Sequence, residues 1–123
     1  MEIKKLNRIN EYLNEQLWMD FQVCSMNCGK IEVFGYLDEA SEDMIKISFI
    51  KPYMMLSAFM FTYEGGGKFI SLVTGNEARE MNEKYSVTQG NYIFKISNTN
   101  IENSMYIIAQ GIDVVIVGKT LDN

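Results

Sequence analysis

A single change of hydrophobic period divides this chain and limits the folds open to it. Leu6, Ile9, Leu13 and Leu17 recur at spacings of three and four, while Lys5, Arg8, Glu11, Glu15 and Gln16 fall elsewhere around the helical wheel. That stripe predicts one amphipathic helix over about residues 5 to 17, with its four apolar side chains laid against a core. From Phe21 the period falls to two, the mark of strands with one buried face. Trp18 and Phe21 stand at the passage and are both expected in the core, where large rings fill the angle between layers.

The period-two part divides at its turn residues. Residues 21–26 alternate, Asn27-Cys28-Gly29-Lys30 offers a turn, and Ile31, Val33 and Leu37 then alternate with Glu32, Phe34 and Tyr36, which reads as a hairpin. Residues 44–51 alternate again, with Ile45, Ile47 and Phe49 on one side, and Pro52 is expected to end that strand. Phe59, Phe61 and Tyr63 share a face before Gly65-Gly66-Gly67, which is expected to turn the chain into a paired strand over 68–73 as a second hairpin. Thr74 and Glu77 have capping-box spacing and predict a short helix near 76–84. A strand over 91–96 follows, and residues 105–117 read either as a hairpin turning at Gln110-Gly111 or as one long strand bulged at Gly111. The connections are too short for parallel crossovers. The expected class is therefore α+β: an N-terminal helix on a mainly antiparallel, strongly curved sheet or sandwich of about seven or eight strands. With 123 residues and no linker, the chain is expected to form a single domain over 1–123.

Composition removes several kinds of chemistry. The chain has no histidine, which excludes Ser/His/Asp and Cys/His triads and imidazole metal sites. Its net charge of −5 argues against nucleic acid or an anionic membrane as the main partner. Cys24 and Cys28, if both lie on one strand, are separated by roughly 13 Å at about 3.3 Å per residue, too far for a disulfide. Two thiols without further ligands do not make a zinc site, so no metal and no cofactor are expected. The N-terminal residues show no apolar stretch after their lysines, and a cytoplasmic location is expected.

Three local features invite a functional reading. Gly65-Gly66-Gly67-Lys68 lacks the spacing, the following Ser or Thr and the helix that a phosphate loop requires. Asp38, Glu39, Glu42 and Asp43 crowd four carboxylates into six positions without the glycine and spacing of a calcium loop, and read as a solvated or docking loop. Glu32 is the one acid in mid-strand among apolar neighbours, and an outward-facing residue is the plainer account of it than a general base.

The most informative pattern is the polar side of the sheet. Glu32 places Phe34 and Tyr36 there, Lys46 places Met44 and Ile50, Lys95 places Ile93, and Met60 joins them beside Thr62. A wet face so rich in large apolar groups is either covered by the helix or a second sheet, or used for binding. The expected function is a small non-catalytic protein-binding domain, its surface formed by Phe34, Tyr36 and Met60 and flanked by Asp38, Glu39, Glu42 and Asp43. In size and composition the short, acidic, histidine-free, β-rich chain resembles bacterial immunity proteins that neutralise a toxin, which implies another protein as the partner. One alternative is a small-ligand carrier or enzyme whose pocket, lined by Phe59, Phe61, Tyr63, Tyr92 and Phe94, would enclose roughly 300 Å³ or more. Another is a homodimer formed by pairing an apolar edge such as residues 114–117 with its copy.

Overall fold

A computed structural model of the chain describes residues 2–37 and 44–117. Helix α1 (Glu2–Asn14) buries Leu6, Ile9, Tyr12 and Leu13. Leu17 departs from the expected stripe. The amides of Glu15 and Gln16 bond back to the carbonyls of Tyr12 and Leu13, three residues earlier, in a tightened last turn. The chain then swings toward β1, leaving Leu17 89 % exposed, and Tyr12 completes the buried stripe instead. Trp18, expected in the core, is 44 % exposed for the same reason, whereas Phe21 is fully buried.

The strands are β1 (Met19–Met26), β2 (Lys30–Tyr36), β3 (Met44–Leu56), β4 (Met60–Tyr63), β5 (Ile70–Leu72), β6 (Tyr92–Ile96) and β7 (Met105–Val117). They form one antiparallel sheet in the order β4-β1-β2-β3-β7-β6-β5, curved into a half-barrel. Helix α2 (Gly75–Tyr85) is inserted between β5 and β6. Asn27 makes the expected β1–β2 turn, its Oδ1 accepting the amides of Gly29 at 2.7 Å and Lys30 at 3.0 Å. Cys24 lies on β1 but Cys28 lies in this turn, so the two do not share a strand, and both are free and exposed.

Pro52 does not end its strand. Lys51 takes a positive φ of 50° and donates its amide to the Gly29 carbonyl at 2.8 Å. The register of β3 against β7 then slips between Pro52 and Met54, and an irregularity of this kind tolerates the missing proline N–H.

The second expected hairpin is also absent: β4 pairs with β1, and β5 with β6, so the two lie at opposite edges of the sheet. Gly65 and Gly66, at φ of 78° and 84°, carry the chain between those edges in a conformation that side chains resist. The outer side of β4 is engaged by the loop after β6, through Glu64 N–H to Asn98 O and Asn100 N–H to Thr62 O, each 2.9 Å. On β5 the side chain of Asn10 performs the corresponding task. It accepts from the amides of Phe69 and Ile70 and donates to the Ile70 carbonyl at 2.8 Å.

Residues 105–117 are one strand and not a hairpin. Met105, Ile107 and Ala109 face the main core, but so do Ile112, Val114 and Ile116, so the inward parity changes across Gln110-Gly111. The Ile112 amide donates to Glu2 Oε2 at 3.2 Å, and Lys5 binds Asp113 at 2.9 Å, fastening α1 to this bend.

The main core fills the concave side under α1. Phe21 stacks on Phe69 and Phe61 at centroid distances of 4.7 and 5.5 Å, and Tyr63 meets Phe69 edge-on. Gly35 is the vacancy that admits this stack. A Cβ there would stand 2.5 Å from Phe21 Cε1 and 2.9 Å from Ile45 Cγ2. A second cluster of Val73, Met81, Ile93 and Ile108 lies under α2 on the opposite face. Ile93, expected on the wetter face, is therefore buried at 5 % exposure. In chemical denaturation, Leu13→Ala should lose about 2–5 kcal/mol and Gly35→Ala about 1–3 kcal/mol through overpacking. Leu17→Ala should stay within about 0.5 kcal/mol of the parent, as exposed substitutions do.

Candidate functional site

The two helices divide the sheet unequally. Helix α1 packs the concave face, and α2 packs the outer face over β6 and the first half of β7. Among the described residues no helix covers the outer face of β4, β1, β2 and the first half of β3.

Cross-strand register sorts the side chains of that bare face into rows. One row runs Thr62, Asp20, Tyr36, Met44, and the next runs Met60, Gln22, Phe34, Lys46, Val115. A third holds Ser25, Glu32, Ser48 and Asp113. The structure thus brings Phe34, Tyr36 and Met60 into adjacent rows, with Met60 61 % exposed and the two rings half-buried. The acidic residues Asp38, Glu39, Glu42 and Asp43 lie outside the described residues. Tyr36 and Met44, which close β2 and open β3, pair directly on either side of that loop.

Beside the Tyr36 row a surface cleft of about 200 Å³ opens between β4, β1 and β2. Asp20, Tyr36, Met60, Thr62 and Asn100 line it, together with the strand residues Phe21 and Phe61, whose rings pack in the main core. The Thr62 hydroxyl donates to Asp20 Oδ1 at 2.7 Å, and the Thr62 amide donates to Asn100 Oδ1 at 2.7 Å. The sequence singles out Tyr36 through the charge of Glu32 and Met60 through its neighbour Thr62, but not Asp20 or Asn100. Asp20 stands before Phe21, where the alternation of period two begins in the sequence, and nothing local in the chain links residue 62 to residue 100.

Glu32 sits on the same face between Lys30 Nζ at 3.2 Å and Lys46 Nζ at 3.6 Å. The hydrogen bond from Lys30 leads in holding its carboxyl below the ordinary range, with Lys46 and the Ser25 hydroxyl adding to it. A glutamate held ionised in this way suits a surface charge rather than a proton donor.

The five residues of the alternative pocket do not converge. Phe61, Tyr63 and Phe94 are packed in the core, whereas Phe59, at 64 % exposure, and Tyr92 reach solvent. A cleft of about 270 Å³ runs along α2, bounded by Leu56, Met81, Tyr85 and Tyr106. There Tyr106 donates to Glu77 Oε2 at 2.7 Å, with Lys95 at 3.4 Å from the same oxygen. This network ties α2 to β6 and β7. A further cleft of about 350 Å³ borders Cys28, Lys51, Thr88 and Gln110. Among the described residues no three acids or cysteines gather as a metal cage would require, and no helix is long and apolar enough to cross a membrane. No protein-family model matches the chain, and no curated protein or solved structure matches it either.

The Tyr106 network has a pH signature. Burial first, and then the bond to Glu77, pushes the Tyr106 hydroxyl up to about 12. A raised folded-state value means stability that is complete below the unfolded value near pH 10 and is lost as pH climbs toward 12. Glu77 is shifted the other way by its Tyr106 bond, so its contribution is present above the ordinary carboxylate range and falls away in acid. In an ultraviolet titration of tyrosinate, a phase near pH 12 should lose the amplitude of one tyrosine in Tyr106→Phe.

Proposed function

We propose that this chain is a small non-catalytic protein-binding domain of the immunity or inhibitor type, acting in the cytoplasm and docking through the outer face of β4, β1 and β2. One observation carries the reading: Phe34, Tyr36 and Met60 stand in two adjacent rows, on either side of Asp20 and Gln22 of β1, on the half of the sheet that neither helix covers. Aromatic rings and methionine are favoured at interface centres, where they exclude water and repack. The polar row of Ser25, Glu32, Ser48 and Asp113 provides a rim on one side, and the acidic segment after Tyr36 adds a field that steers a basic partner. Two free, exposed cysteines suit a reducing compartment.

Once the partner has been captured from the native organism and purified, the anchors and the acids should fail differently. Tyr36→Ala should raise the dissociation rate, weakening the complex by about 1–3 kcal/mol. Neutralising Asp38, Glu39, Glu42 and Asp43 together should slow association and flatten its salt dependence, with folding stability little changed. Surface-plasmon kinetics in which both variants bind as the parent does would remove the assignment.

A second reading, a homodimer, draws on the far half of β7. Beyond Ile112 this strand has β3 on one side and, among the described residues, no strand on the other. Because the Ile112 amide turns away from β3 to Glu2, alternation directs the amides of Val114 and Ile116 to the same open side. Light scattering during size-exclusion chromatography should then report twice the 14.2 kDa chain mass, and Val114→Pro should return it to a monomer.

A further inference from the structure

We infer that the cleft between β4, β1 and β2 is a seat for an arginine side chain presented by the partner protein, an inference that rests on the protein-binding reading above. The cleft is rich in acceptors and holds no cation. Its lining includes the Asp20 carboxylate, the Thr62 hydroxyl and the Asn100 amide, and neither lysine nor arginine.

The ion pairs among the described residues engage Glu2, Asp113, Glu32 and Glu77, each with a lysine. Half-buried Asp20 has the Thr62 hydroxyl at 2.7 Å and no such lysine. That bond engages Oδ1, and no hydrogen bond or ion pair among the described residues takes up Oδ2 of this cleft-lining carboxylate. Asn100 Oδ1 has one lone pair committed to the Thr62 amide and the other available. Tyr36, directly opposite Asp20 in the β1–β2 register, contributes a half-exposed ring, and Met60 a polarizable thioether wall.

Acceptors beside an aromatic face are the complement of a guanidinium. Its planar fork offers five N–H donors in the plane while its face stacks on a ring. A lysine ammonium would meet the charge but not the plane. Size agrees with one side chain as the occupant: about 200 Å³ lies below the range of about 300–1,000 Å³ usual for small-molecule sites. The net charge of −5 and the four carboxylates that follow Tyr36 in sequence favour a basic partner over an acidic one.

The test uses the whole chain, isotopically labelled, and two blocked tripeptides, acetyl-glycyl-arginyl-glycinamide and its citrulline analogue. Citrulline keeps the shape of arginine and loses its charge. In amide correlation spectra the arginine peptide should produce saturable shifts centred on Asp20, Tyr36, Thr62 and Asn100. Its affinity should exceed that of the citrulline peptide at least tenfold and fall as salt is raised. Asp20→Asn, which preserves the Thr62 contact, should abolish the difference between the peptides. Equal binding of the two peptides, shifts centred elsewhere, no binding, or an undiminished preference in Asp20→Asn would each overturn the guanidinium seat. The Tyr36→Ala kinetics separate this failure from that of the wider reading. If Tyr36→Ala speeds dissociation of the captured partner while the peptides fail, the surface stands and the arginine seat falls. If the peptides behave as expected while Tyr36→Ala changes nothing, the cleft chemistry is upheld and the docking of that partner is not.

Discussion

The break in the ladder between β3 and β7 governs this architecture. Each of these strands is 13 residues long, and a regular pair of that length would present one parity of side chain to one face throughout. Here the register slips between Pro52 and Met54, and the inward parity of β7 changes between Ala109 and Ile112. The two halves of the pair therefore bend relative to one another, as bulges dictate. Helix α1 is fastened at this bend because the Ile112 amide, turned out of the ladder, would otherwise be an unmet donor under a helix. Glu2 meets it, and the Lys5–Asp113 pair holds the same turn of helix in place.

The bare half of the outer face follows from how the helices are distributed. Ile93, Ile108, Val73 and Met81 make a small second core, and α2 is just long enough to cover it. No comparable cover exists among the described residues for Phe34, Tyr36 and Met60. Large apolar groups left on a wet face contribute little to folding, so their gathering in adjacent rows of β2 and β4 is informative in a way that a scattered set would not be.

Much of this was legible in the chain, and what was not has identifiable causes. Period-two alternation correctly oriented Ile31, Val33, Ile45, Ile47 and Phe49 because each lies in a strand whose inner face is wholly dry. The boundaries of α2 were read close to their observed places, but the reason offered was incomplete. Thr74 makes no side-chain cap bond, and Glu77 is engaged by Tyr106 and Lys95 rather than by the helix start. Pro52 misled because its local penalty is cancelled by an extra residue in β3 itself, set against a partner strand more than fifty residues away. Gly65-Gly66-Gly67 misled because short glycine turns join neighbouring strands so often, whereas here they join two edges of a half-barrel. Charges at Glu32 and Lys46 labelled the outer face and so exposed Phe34 and Tyr36 to view. The acceptors of the cleft stayed hidden because Asp20, Thr62 and Asn100 meet only through tertiary pairing.

Asn10 has a consequence of a different kind. One amide side chain on α1 occupies the outer edge of β5, and the same helix closes the concave core. Undocking of α1 would therefore uncover, in one event, an apolar interior and the open backbone of an edge strand, the pair of features that together recruit other chains into aggregates. Lifting of this one N-terminal helix is thus a route to association that does not require the sheet beneath it to unfold.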